Sequence, residues 1–311
     1  MKNFKAIAIA SALATYFLIF IGGLVRVSGA GMGCPDWPKC FGGWIPPLSA
    51  SQLPADIDPN LFNFTLAWIE YINRLVGVAV GILIAIVAIW AIIKFSRKPK
   101  ILIPSIFAGL LVAFQGWQGG QIVATQLKPI IVSVHLVIAY LIVSLLIYVA
   151  QRVHYLQNPE SESQSVYPTG IQIWIGILWL IAIAQVILGT QLREAIEHAI
   201  KIFPLFTDTQ IIAAVGSIKY LHPVFGIITA VLAFVCGYKL LYSGSKPSSL
   251  VWQSSLALLG LMIIQLILGA VMIFVGVPEV AQVLHLWIAS LIIGMILISF
   301  TAVGYKKEVR S

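Results

Sequence analysis

The sequence predicts an all-α membrane protein: eight transmembrane helices arranged as two parallel-oriented four-helix repeats, with N- and C-termini cytoplasmic. Three observations predict it. Of 311 residues, 60% are hydrophobic and 10% charged, where a soluble domain carries about a quarter charged residues. Several apolar runs reach the roughly 20 residues that a helix needs to cross a bilayer. The second half of the chain also echoes the first.

The spans are placed at 6–27, 65–93, 101–124, 130–150, 171–192, 217–242, 251–275 and 280–303. The first has the outline of a signal peptide, since Lys2 and Lys5 precede an apolar run ending in small residues. That run is long for such a segment, and Gly22-x-x-x-Arg26 at its end matches Gly189-x-x-x-Arg193 at the end of the fifth span. It is therefore read as a retained helix. Lys and Arg give the orientation. Lys2, Lys5, Lys94, Arg97, Lys98, Lys100, Arg152, Lys239, Lys246, Lys306, Lys307 and Arg310 fall on one side, 12 of the 19 basic residues. The richer side is the cytoplasmic one. The long loops, 28–64 and 194–216, then face out. The net charge of +8 is a topology signal, and no nucleic-acid partner is expected. The partner along the spans is the lipid bilayer. No Arg- and Ser-rich presequence precedes the first span, which points to a prokaryotic plasma membrane over a mitochondrial inner membrane.

The repeat is specific. "HLVIAYLI" from His135 aligns with "HLWIASLI" from His285, an offset of 150, and Gln115 and Gly119 match Gln265 and Gly269 at that offset. Pro129 and Pro278 precede the two histidines. Chance likeness between apolar helices does not account for matched His, Gln and Pro together. Four spans per half is an even number, so the halves share orientation. The division is 1–152 for the first half, 153–169 for a cytoplasmic linker and 170–311 for the second half.

The repeat turns four positions into one set. Asn73 moves onto His222 at an offset of 149, and Gly77 onto Gly226. Asn73, His135, His222 and His285 are each followed four residues later by Gly77, Ala139, Gly226 and Ala289. A small side chain one turn on shares the face and leaves room for a flat body beside an imidazole. All four lie near the outer ends of even-numbered spans, in one layer. A lone histidine in an apolar helix is usually structural. Repeated histidines at one depth favour axial ligation of haem, with His222 and His285 as a bis-histidine pair. The competing reading is a zinc or copper site, which leaves the small residues without a purpose. His154 and His198 do not repeat and are read as solvated.

Glu70 has Lys219 as its counterpart and so is unique to the first half. An ionisable group in a membrane helix is by default a functional hypothesis, with an ion-paired structural role beside it. Three residues apart, Glu70 and Asn73 share a face, so the carboxylate borders the first-half pocket and suits proton transfer there. Arg74 is placed to pair with Glu70 or with a haem propionate, as are Arg26 and Arg193. Cys34 and Cys40 bracket "CPDWPKC" in the first outer loop and are expected to form a disulfide. A redox role for them stays open. Cys236 reads as core packing.

Together these residues resemble the haem A synthases of aerobic respiratory membranes. The likeness covers nearly the whole chain and rests on "GCPDWPKC", on "EYINRLVG" against the family's Glu-x-x-His-Arg, and on the histidines heading spans 4, 6 and 8. It implies oxidation of a methyl group of haem O to the formyl group of haem A by successive hydroxylations. It further implies a resident haem b on His222 and His285, substrate haem at His135, and Glu70 as the catalytic carboxylate. Arg74, Gly77 and Gly226 would belong to the cofactor-binding surroundings. Its partners would be haem O, an unidentified electron donor and the haem O-producing farnesyltransferase. Asn73 departs from the pattern, which has histidine there. That departure fits an impaired form, a branch using one axial ligand, or a descendant that binds haem without making haem A. The residues alone also admit a bis-histidine, cytochrome b-like electron-transfer protein and a haem chaperone or transporter.

Overall fold

Helix starts and stops follow from local chemistry. The computed structural model describes residues 1–55, 57–158, 166–242 and 247–310. Eight helices among these residues are long and apolar enough to cross a membrane. They are α1 Lys2–Val27, α2 Phe64–Phe95, α3 Pro99–Ala124, α4 Pro129–Gln157, α5 Ile171–Ile202, α7 Ile218–Tyr242, α8 Ser249–Phe274 and α9 Glu279–Arg310, with a short α6, Asp208–Ala214, between α5 and α7. Pro99 and Pro129 open α3 and α4, where the missing N–H is one the helix leaves unpaired anyway. Asn63 caps α2 by accepting from the Leu66 N–H at 3.1 Å, and Ser248 caps α8. No strand forms among the described residues; Cys40 and Gly43 make an isolated bridge.

Two expectations change. The segment 194–216, expected as a loop, is largely helical: α5 continues to Ile202 and α6 follows a Thr207–Gln210 capping box. The reason is amphipathic. Arg193 and Glu197 pair one turn apart, while Ala199 packs with Ile211 and Val215 in a small core of its own. The predicted linker 153–169 begins as helix, because α4 runs on to Gln157. Its residues 159–165, and Lys246 of the charge count, lie outside the described residues.

The helices pack as two rings. In the first, α1 touches α2, α2 touches α3, α3 touches α4, and α4 returns to α1. In the second, α5, α7, α8 and α9 follow the same neighbour order. The rings meet through α1 on α9, α4 on α5 and α4 on α9. α9 is therefore the most enclosed helix, and α8 the one most given over to lipid. The end carrying the 28–63 segment is called the loop side below; the end with both chain termini is the terminal side.

Candidate functional site

In the second ring, α7 and α9 stand across from each other, and their histidines meet in the middle. The His222 and His285 rings lie 6.2 Å apart, centre to centre, inclined by 63°. Helix α5 supports the first of them: the Gln185 amide donates to the His222 carbonyl at 2.7 Å and stands 3.1 Å from its Nδ1. Glycines let the backbones close in. A Cβ on Gly189 of α5 would sit 3.0 Å from His222 Cε1, and one on Gly269 of α8 would sit 3.6 Å from His285 Cε1. Gly226, one turn beyond His222, admits the Gln185 amide, 3.1 Å from where its Cβ would be. Metal–imidazole bonds of about 2.0–2.1 Å put two ring centres roughly 6 Å apart across one ion. The pair thus fits a bis-histidine haem.

The first ring repeats this layout with different occupants. Asn73 on α2 and His135 on α4 hold the opposed positions, and Gln115 of α3 donates to the His135 carbonyl at 2.8 Å. Asn73 Oδ1 and His135 Nδ1 are buried and find no partner among the described residues. Gly77, Gly116 and Gly119 border space rather than side chains: a Cβ on any of them meets nothing within 4 Å. This ring leaves open space beside these glycines and offers one imidazole, His135.

A folded cap closes the loop side of the first ring. The Cys34–Cys40 disulfide ties its base, and the Asp36 carboxylate accepts from the Phe41 and Gly42 N–H groups at 2.6 and 2.9 Å. Gly33 lies so close to the α2 backbone at Leu66 and Ala67 that a Cβ would collide with it. Trp37 fills the space over Gly120 of α3 in the same way.

Glu70 and Arg74 lock the cap to α2. Glu70 is 4% exposed; its Oε2 accepts from the Cys34 N–H at 2.8 Å, and its Oε1 pairs with Arg74. Arg74 spends all five N–H donors. Nε and one Nη2 hydrogen go to Glu70, the other Nη2 hydrogen goes to the Cys34 carbonyl, and Nη1 serves the carbonyls of Asp36 and Lys39. Its guanidinium also lies 5.1 Å from the Trp37 ring centre. Arg74 therefore has no donor left for a propionate. Of the alternatives the sequence left, the geometry takes the Glu70 ion pair.

The other two arginines converge. Arg193 pairs with Glu197 at 2.6 Å and bonds Gln282, one turn before His285; Arg26 of α1 reaches the same Glu197 at 3.8 Å. His154 lies beside Lys5, 3.5 Å away, at the terminal side, and His198 is exposed. Among the described residues no three His, Cys, Asp or Glu side chains converge as a metal site, which leaves the zinc or copper alternative without a ligand set. Sequence reasoning missed Gln185, Asp36, Trp37 and Gln282. Gln115 was visible as a repeat mate of Gln265, while Gln185 has no mate to reveal it.

The comparisons with known proteins agree on one family. The family model COX15-CtaA, described as cytochrome oxidase assembly protein, matches residues 5–297. A Heme A synthase of Shewanella oneidensis is 29% identical, covering 87% of this chain and 88% of that protein. One from Wolbachia sp. subsp. Brugia malayi is 24% identical over 94% of this chain and 95% of its own length. A third, from Beijerinckia indica, is 25% identical over 91% and 88%.

Proposed function

The chain belongs to the COX15-CtaA family of cytochrome oxidase assembly proteins, and on that premise we propose that it oxidises a methyl group of haem O to the formyl group of haem A by successive hydroxylations. It is a multi-pass membrane oxidoreductase of haem A biosynthesis, of the kind bacterial plasma membranes carry. The finer reading rests on one observation. Two pockets lie in equivalent rings, one closed around a ring pair at 6.2 Å and one open beside a single imidazole under an anchored cap.

In this reading His222 and His285 would hold a resident haem b in the second ring. When bound, that haem supplies one-electron chemistry. Gln185 fixes the His222 backbone, and Gly189 and Gly269 let α5 and α8 shield the imidazoles from water. The first ring receives haem O as substrate. His135 would hold it, and Asn73 would offer its amide oxygen, unpaired among the described residues, where the second ring has a histidine. The cap excludes water from the pocket, and Glu70 supplies the carboxylate for proton transfer at the pocket edge once its hold on the cap shifts. Arg74 acts through the cap. Taking the methyl to a formyl removes four electrons, so each hydroxylation needs an oxidant such as dioxygen, with an electron donor to take its second oxygen atom to water. The farnesyltransferase that makes haem O is the natural supplier of the substrate. The matching neighbour order of the two rings supports descent by duplication.

The test is chemical. Protein purified from cells supplied with haem O is extracted and its haems weighed. Haem A or a singly hydroxylated haem O is expected; haem b with unaltered haem O overturns the proposal. Asn73 favours a second reading, a bis-histidine electron-transfer protein, which predicts that second result together with reversible reduction by quinol.

A further inference from the structure

Where the two rings meet, α4 turns a polar stripe toward the second ring, reaching α5 at Ser133 and α9 at Gln151. Ser133, Tyr140, Ser144 and Gln151 recur at intervals of 7, 4 and 7 residues and so share one helix face. All four are buried, none more than 7% exposed. From Ser133 to Gln151 the stripe rises through about 27 Å of helix, close to the hydrocarbon thickness of a bilayer. On α9 the equivalent positions are Ser290, Gly294 and Thr301, likewise buried or backbone-exposing.

Among the described residues, protein satisfies only part of this stripe. Tyr140 Oη, Ser144 Oγ, Gln151 Oε1, Thr301 Oγ1 and Tyr16 Oη are buried and find no hydrogen-bond partner among the described residues. Tyr16 comes from α1, and its hydroxyl lies on Gly294 beside Ile147, where a Cβ on Gly294 would overlap it. Ile147 is one turn from Ser144, so the Tyr16 hydroxyl enters the same seam. Gln151 donates to the Ile298 carbonyl at 3.1 Å, which puts Thr301 on the facing turn. Tyrosines on a helix lean toward its N-terminus, so Tyr140 reaches from mid-membrane toward Ser133. Ser133 in turn bonds Thr190 at 2.9 Å, next to the Gly189 that abuts His222.

One orphaned hydroxyl in a core is tolerable. Five along one seam of a lipid-embedded protein are not, because nothing in the surrounding hydrocarbon can pair them and each costs several kcal/mol. Buried polar groups in such clusters are met by internal water. We propose that the α4–α9 seam holds a file of water molecules that carries protons from the terminal side, at Gln151 and Thr301, to the layer between the two histidine pockets, at Ser133 and Thr190. Hydroxyl and amide groups both donate and accept, so each member can pass a proton along.

Radiolytic footprinting of the full-length protein in lipid nanodiscs tests the water. Side chains beside bound water are hydroxylated although buried, so Tyr16 and Tyr140 are expected to label several-fold faster than Phe4, which is equally enclosed in an apolar site. Labelling at the Phe4 rate overturns the file. Infrared spectra after transfer to D2O test the path, with Tyr16→Phe and Tyr140→Phe identifying the two hydroxyl bands. Rapid exchange in the parent is expected, slowed in Thr301→Val and restored in Thr301→Ser. Exchange as fast in Thr301→Val as in the parent overturns entry from the terminal side. A folding defect in the valine variant would open the seam to solvent and speed exchange, so it would not imitate this slowing.

Discussion

The two rings share a helix order and differ in what they do with it. The second brings two imidazoles together and closes around them with glycine backbones. The first puts an asparagine opposite its histidine, leaves its glycines facing space, and spends its charged pair on a cap. A pocket that must keep a cofactor profits from two strong ligands and tight walls. A pocket that must admit and release a large substrate profits from weak ligation, room and a cover that can shift. On the proposed function, the same architecture would serve retention in one ring and turnover in the other through a handful of side chains.

Removing a ligand from the second ring should have the largest effect. His285→Ala leaves His222 alone, and the haem recovered per protein should fall to a small fraction, with loss of the low-spin spectrum typical of two axial imidazoles. Retention of that spectrum would move the resident site elsewhere. Next comes the lock on the cap. Arg74→Ala leaves Glu70 buried without its partner, which typically costs about 3–5 kcal/mol, read as a lower unfolding midpoint in detergent. The double variant Glu70→Leu with Arg74→Met should recover much of that loss, since it buries no charge; if it is no better than Arg74→Ala, the pair is not the lock.

Asn73→His makes the first ring like the second. It should raise haem retention there and add a second bis-histidine spectral component. A rise in haem A yield identifies the asparagine as a lesion, while a fall shows that weak ligation serves turnover. The smallest effects come from paired glycines. Gly189→Ala presses a methyl onto His222 and should shift the absorption of the resident haem. Gly119→Ala meets no atom within 4 Å, so it should leave that spectrum and the unfolding midpoint nearly unchanged while weakening retention of haem O. Equal spectral shifts in both variants would erase the distinction between a closed and an open pocket.

Much of this was legible beforehand. Apolar runs placed all eight spans, because a helix in lipid must satisfy its own backbone and show apolar side chains. Span ends were short by up to ten residues at α5, where amphipathic packing with α6 extends the helix past the lipid-compatible run. Cys34 and Cys40 pair as their compartment and spacing suggested. His222 and His285 were paired on repeat logic, and their rings do meet. Arg74 could not be assigned, because pairing with Glu70 and binding a propionate look the same in one dimension. Only the cap carbonyls that take its remaining donors decide between them.

Sequence by itself therefore determined the class, the spans and the candidate polar positions, since these follow from local chemistry along single helices and from similarity between halves. Tertiary structure alone decided which polar groups are spent and which are free. Glu70 and Arg74 are consumed by a loop some 35 residues away, His222 is steadied by Gln185 from another helix, and five hydroxyl and amide groups along one seam are left unpaired among the described residues. Hydrogen-bond satisfaction is a property of neighbours in space, and a sequence specifies those neighbours only once it has folded.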